Sequence, residues 1–188
     1  RRNLLNQKAL SMPLHKTMNS NDSMIQDIAC LQDLECFASK LAEHLPQSAL
    51  VTLEGDLGAG KTTFVKAVAN AVGIDPSTVT SPTFNLITIH ESQDIMLRFI
   101  HADMYRLTDP DELIETGWDS ALTAPPEYRC WTFVEWPQRI APALPAERLC
   151  ITFEVTGESS RRLYLHALGS KYQSVETNIS NFIKPPRP

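Results

Sequence analysis

The chain has 188 residues, 43% apolar and 21% charged, with a formal net charge of −5 at pH 7. That length supports one domain with a proper core and is short for two, and the composition is that of a soluble globular protein. No apolar run approaches the roughly 20 residues that span a bilayer, and the acidic balance excludes a broad basic face gripping nucleic acid, so any RNA involved is held mostly by something else.

The first 23 residues carry Arg1, Arg2, Lys8, His15 and Lys16 with no acid before Asp22, and show no sustained apolar period. They read as expression-derived residues ahead of a start at Met12, Met18 or Met24, or as an organelle transit segment, which is likewise basic and acid-poor. The fold is read without them. Met24 to Ala29 fits an edge strand. From Gln32 to Leu45, the apolar residues Leu34, Phe37, Ala38, Leu41 and Leu45 recur at spacings of three and four, predicting a helix that Pro46 ends.

Ala49–Glu54 is a short apolar run suited to a buried strand. It runs into Gly55-Asp56-Leu57-Gly58-Ala59-Gly60-Lys61-Thr62, the pattern G-x-x-x-x-G-K-[ST], and Phe64, Val65, Val68, Ala69 and Val72 then follow at helical spacing. Strand, glycine loop and helix in that order are the context a phosphate-binding P-loop requires. The glycines allow backbone conformations that let several N–H groups converge on phosphate oxygens. The helix start aims its unpaired N–H groups and positive dipole end at the same anion. Lys61 supplies a mobile positive charge for the outer phosphates, and the Thr62 hydroxyl is a ligand for Mg²⁺. The plainer reading, a glycine turn joining strand to helix, leaves the lysine and threonine unexplained.

Beyond Gly73 and Pro76 the runs Phe84–His90 and Ile95–Asp103 alternate, with the polar link Glu91–Asp94 between them, and predict a β-hairpin. Asp109-Pro110-Asp111-Glu112 reads as a turn opening a short helix. Ala124-Pro125-Pro126 breaks the chain before a strand, Cys130–Glu135, which Trp136-Pro137 ends. Arg148–Val155 and Arg161–Leu168, separated by Gly157–Ser160, predict a second hairpin, and Val175–Ile183 a short helix before a Pro-rich tail. The expected fold class is α/β, a P-loop NTPase-like core whose mixed parallel and antiparallel sheet is flanked by helices. The expected organisation is a leader (1–23), one P-loop domain (24–169) and a C-terminal extension and tail (170–188). The four cysteines, Cys30, Cys36, Cys130 and Cys150, form no C-x-x-C pair. Three lie in apolar segments, which predicts buried free thiols and a reducing compartment.

A P-loop needs an acid for Mg²⁺ at the end of a nearby buried strand, and two acids end apolar runs: Asp103 after Phe99–Ala102, and Glu135 after Trp131–Val134. Asp is the usual metal acid; the extra methylene of Glu135 suits a strand set slightly farther back. Either acid is otherwise a solvated strand end. Ser81-Pro82-Thr83 stands where a phosphate-sensing loop orders against the terminal phosphate, or simply sets up a strand entry. His101 is a base or a structural histidine, Tyr105 and Arg106 face a partner or the solvent, and Trp136 covers the site or fills the core. No Ser-His-Asp or Cys-His arrangement competes with phosphate chemistry.

Four segments occur in order: Gly55–Thr63, Ser81-Pro-Thr-Phe84, His101-Ala-Asp-Met-Tyr-Arg-Leu107 and Val134-Glu-Trp-Pro-Gln138. Together they make Ile28–Leu168 resemble the bacterial TsaE (YjeE) ATPases, which take part in making threonylcarbamoyladenosine in tRNA. The P-loop is shared with many proteins; the H-x-D-x-Y-R and V-E-W-P pieces make the likeness specific. The resemblance implies ATP or ADP bound with Mg²⁺, slow ATP hydrolysis, a cytoplasmic protein, and TsaD and TsaB as partners that meet the tRNA and perform the transfer. It implies that Asp56–Thr63 wrap the phosphates, with Lys61 neutralising their charge and Thr63 binding nearby oxygens. Thr62 and Glu135 would hold Mg²⁺, Asp103 would serve hydrolysis, Ser81–Thr83 would be the switch-like loop, and Trp136 would lie beside the site. Two other readings stay open, a small-molecule kinase and a non-catalytic nucleotide-sensing module. A kinase needs an Arg-rich lid; Arg98, Arg106 and Arg139 are the arginines available for one.

Overall fold

In the computed structural model, which describes residues 23–80, 86–108 and 112–180, alternating and continuous apolar runs become one sheet with helices packed on it. Its first half comprises β1 (Met24–Ile28), α1 (Leu31–His44), β2 (Ser48–Glu54), α2 (Lys61–Ala71), β3 (Ile87–Ser92) and β4 (Leu97–Asp103). The second half comprises α3 (Glu112–Glu115), α4 (Trp118–Ala121), β5 (Arg129–Glu135), β6 (Arg148–Val155), β7 (Arg161–Leu168) and α5 (Gln173–Ser180).

The strand order is β1-β7-β6-β2-β5-β4-β3. The inner strands β6, β2, β5 and β4 are parallel, and antiparallel strands flank them at both ends. The sheet is therefore mixed, as expected. The continuous burial of Ala49–Leu53 in β2 and Cys130–Glu135 in β5 fits strands covered on both faces. Ala49, Val51 and Leu53 of β2 join Phe64, Val65 and Val68 of α2 and the apolar stripe of α1 in one core. Leu50, Val134 and Ala102, whose side chains alternate to the other face, pack with Leu107, Leu113, Trp118 and Ile140 in a second.

Both hairpins form. In the first, β3 runs on through Glu91 and Ser92, and the turn falls at residues 93–96, with Met96 at φ +48°. Ile95 thus sits in the turn rather than in the strand. Phe84, Asn85 and the stretch 109–111 lie outside the described residues, as do residues 1–22 and 181–188. Helix α4 and the 3-10 turns over Pro137–Ala143 have no counterpart in the sequence reading, being too short to show an apolar period. Tyr172, Val175 and Ile179 are buried in the first core, and the Leu50 N–H donates to the Tyr172 hydroxyl at 2.7 Å. Residues 170–180 thus pack against this core.

All four cysteines are free, but only Cys130 and Cys150 are buried; Cys30 and Cys36 are exposed, which corrects the expectation of buried thiols. Cys30 precedes α1, and Cys36 lies off the stripe formed by Leu34, Phe37, Ala38 and Leu41. Among the described residues no helix is long and apolar enough to cross a membrane.

Candidate functional site

The ends of β2, β4 and β5 and the start of α2 meet at the carboxyl edge of the parallel strands, where open α/β sheets hold their ligands. The glycine loop leaves β2 at Gly55, whose φ is +144°. A Cβ there would stand 2.8 Å from the Phe153 carbonyl oxygen of β6, so the neighbouring strand bars any side chain. The loop closes at Gly60, φ +104°, which turns the chain into α2 with no side chain capping the helix. The first N–H groups of α2 are thus presented to an incoming anion.

Lys61 is almost entirely buried, 4% exposed. Its Nζ donates to the carbonyls of Gly55 at 2.7 Å and Asp56 at 2.9 Å, and lies 4.2 Å from the centroid of the Trp136 ring. Burial pushes the Lys61 pKa below its ordinary value, against the opposing pull of the Glu135, Asp103 and Asp56 carboxylates. Trp136 takes its place through a left-handed backbone, φ +58°, and Tyr105 packs beside it with ring centroids 4.9 Å apart.

Strand alternation puts His101 and Asp103 of β4 and Glu135 of β5 on the face toward α2. The β4–β5 register sets Asp103 directly against Glu135. Glu135 is 3% exposed, and its Oε1 accepts the Thr62 hydroxyl at 2.7 Å. The same oxygen lies 2.9 Å from Nε2 of the fully buried His101. With a carboxylate as acceptor the imidazole carries its proton on Nε2, while Nδ1 has no hydrogen-bond partner among the described residues. Asp103 Oδ1 accepts the Tyr105 backbone N–H at 3.0 Å.

These groups border one open cleft of about 370 Å³, lined by Leu57, Gly58, Gly60, Lys61, Thr62, Thr63, Asp103, Tyr105, Arg106, Glu135 and Trp136. Two of the anticipated P-loop positions stand behind it: Ala59 is fully buried, and Asp56 meets Lys61 through its carbonyl. Ser81, Pro82 and Thr83 lie outside the described residues. Of the three arginines that keep a kinase in view, Arg106 lines the cleft, while Arg98 pairs with Glu91 at 2.6 Å and bonds the Thr123 carbonyl.

Among the described residues no three His, Cys, Asp or Glu side chains converge as a metal site. Mg²⁺ in a P-loop does not need one, since it keeps waters and substrate phosphate oxygens in its shell. A threonine hydroxyl and a carboxylate oxygen 2.7 Å apart at the cleft are the hard oxygen donors such an ion takes.

Arg161, at the start of β7, meets the glycine loop without any signal of this in the sequence. Its guanidinium bonds the carbonyls of Ala59 and Gly58 from behind the loop.

Residues 28–163 match the family model described as threonylcarbamoyl adenosine biosynthesis protein TsaE. The Bacillus subtilis tRNA threonylcarbamoyladenosine biosynthesis protein TsaE is 36% identical over 156 residues, covering 80% of this chain and 93% of the relative. Its Aquifex aeolicus counterpart is also 36% identical, over 138 residues, 72% of this chain and 90% of the relative. The crystal structure of Bacillus subtilis YdiB superposes with a TM-score of 0.64 at 28% identity, covering 85% of this chain and 95% of that one.

Proposed function

The chain belongs to the TsaE family of threonylcarbamoyl adenosine biosynthesis proteins, and on that premise we propose that it is a cytoplasmic, Mg²⁺-dependent P-loop ATPase. Its slow turnover of ATP would support threonylcarbamoyladenosine formation in tRNA, carried out together with TsaD and TsaB, which meet the tRNA and perform the transfer. The observation that supports this best is the convergence of Lys61, Thr62, Asp103 and Glu135 on one cleft from three separate segments of chain.

In this reading the loop backbone from Asp56 to Thr63 wraps the phosphates of ATP or ADP. The uncapped start of α2 supplies N–H donors. Lys61 leaves the carbonyls of Gly55 and Asp56 to meet the outer phosphates. Its location between carboxylates and a tryptophan face keeps it aimed at the cleft. Thr62 and Glu135 would hold Mg²⁺, which offsets phosphate charge when bound. Asp103, whose Oδ1 accepts the Tyr105 N–H, orients the attacking water. Ser81–Thr83 is the switch-like loop that follows the terminal phosphate, and Trp136 walls the cleft.

Release of inorganic phosphate from ATP by the purified chain, with and without Mg²⁺ and with no acceptor added, tests this reading. Metal-dependent release supports it. ADP binding with no release under any condition, including with partners present, would instead favour a nucleotide-sensing module.

A further inference from the structure

The phosphate cradle is held from behind by a group that phosphate binding itself does not explain. Arg161 Nε donates to the Ala59 carbonyl at 2.9 Å, and Nη2 reaches the Gly58 carbonyl at 3.4 Å. The other terminal nitrogen, Nη1, donates to Ser160 O at 2.8 Å and Gly157 O at 3.0 Å, and reaches Glu158 O at 3.4 Å. One guanidinium thus joins the β6–β7 turn to the P-loop, more than 90 residues away in sequence. The turn is itself braced: Thr156 bonds Ser160 through backbone and side chain, and the Ser159 hydroxyl donates to Ala29 O at the end of β1.

We propose that Arg161 is a positioning residue for phosphate binding. In a trans peptide the C=O and N–H point in opposite directions. A cation that holds the Ala59 carbonyl behind the loop therefore turns the Gly60 N–H toward the cleft. Gly60, at φ +104°, has little steric preference of its own to hold that plane. The planar fork of arginine suits the task, because it reaches carbonyls of two segments at once where an ammonium reaches fewer. The adjacent Arg162 projects to the opposite face of β7, where it pairs with Asp27 at 2.7 Å, and is a control within the same strand.

This inference rests on the P-loop reading, and the test separates the two. ADP affinity is measured by calorimetry for the wild type, Arg161→Ala, Arg161→Lys and Arg162→Ala, with melting temperatures alongside. Loss of a charge-assisted bond predicts ADP affinity weaker by about tenfold in Arg161→Ala and about threefold in Arg161→Lys, with Arg162→Ala within about twofold of wild type. Because the hydrogen bonds of Arg161 run to Gly58, Ala59 and the β6–β7 turn rather than to Thr62 or Glu135, the Mg²⁺ midpoint of hydrolysis at saturating ATP stays in place while KM for ATP rises. Wild-type affinity in Arg161→Ala, or equal losses in Arg161→Ala and Arg162→Ala, overturns the assignment. If Arg161→Ala fails to fold, wild-type affinity in Arg161→Lys does the same. A wild type that binds no ADP defeats the P-loop reading itself.

Discussion

Replacing His101 by leucine probes the link between the core and the metal side of the cleft. The imidazole is fully buried, and its Nε2 lies 2.9 Å from the Glu135 oxygen that also takes the Thr62 hydroxyl. Leucine leaves that oxygen with one donor instead of two and frees the carboxylate to swing. A hydrogen bond to a charged group contributes about 1.5–3 kcal/mol, and removing the partner that orients a metal ligand weakens metal binding by about 10–100-fold. The two estimates agree on a loss of at least about tenfold in cation affinity. Because His101 Nδ1 has no partner among the described residues, leucine gives up no hydrogen bond there, which limits the damage to folding. His101→Gln, which returns an N–H donor near the Nε2 position, should recover most of the loss. The assay is titration of Mn²⁺ into the chain with ADP, following the resonance of the free ion. Leucine and wild type binding Mn²⁺ equally, both folded, would show that His101 does not orient Glu135.

Lys61→Ala should weaken ADP binding by about 10–100-fold, since the phosphates lose a charged donor; unchanged affinity by calorimetry would remove the lysine from the site. Glu135→Ala should bind ADP in the presence of EDTA within about threefold of wild type while losing Mg²⁺-stimulated phosphate release, and retained stimulation would move the metal role to Asp103. Tyr172→Phe strands the Leu50 N–H in the core, so urea denaturation should show a loss of about 1–3 kcal/mol with an unchanged slope. In the native protein a thiol reagent should modify two cysteines quickly, Cys30 and Cys36. Cys130 and Cys150 should react only on unfolding, since burial both shields them and pushes their thiol pKa up.

The parts of the site written as contiguous chemistry were legible. Gly55–Thr62 carries its spacing in one stretch, and the alternating runs gave both hairpins because side-chain period two is local. The acids at the ends of β4 and β5 could be proposed from strand ends. Their mutual register, Asp103 against Glu135, depends on β4 and β5 being neighbours, and strand order comes from packing across the whole chain. Arg161 was illegible for the same reason: an arginine opening a strand looks solvated until β6 lies against β2 and brings the turn beside the glycine loop. His101 carried two readings because its tie to Glu135 runs between strands. The exposed thiols have a different cause: Cys36 lies in an apolar segment, but its helical position puts it off the buried stripe of Leu34, Phe37, Ala38 and Leu41.

The most direct test of the central claim is a tRNA threonylcarbamoylation assay with TsaD and TsaB, in which product is counted per TsaD over time. Adding this chain with ATP and Mg²⁺ should carry product well beyond one equivalent, and a non-hydrolysable ATP analogue or the Lys61→Ala chain should hold it near one. Product that accumulates equally with the analogue, or without this chain, would contradict the account.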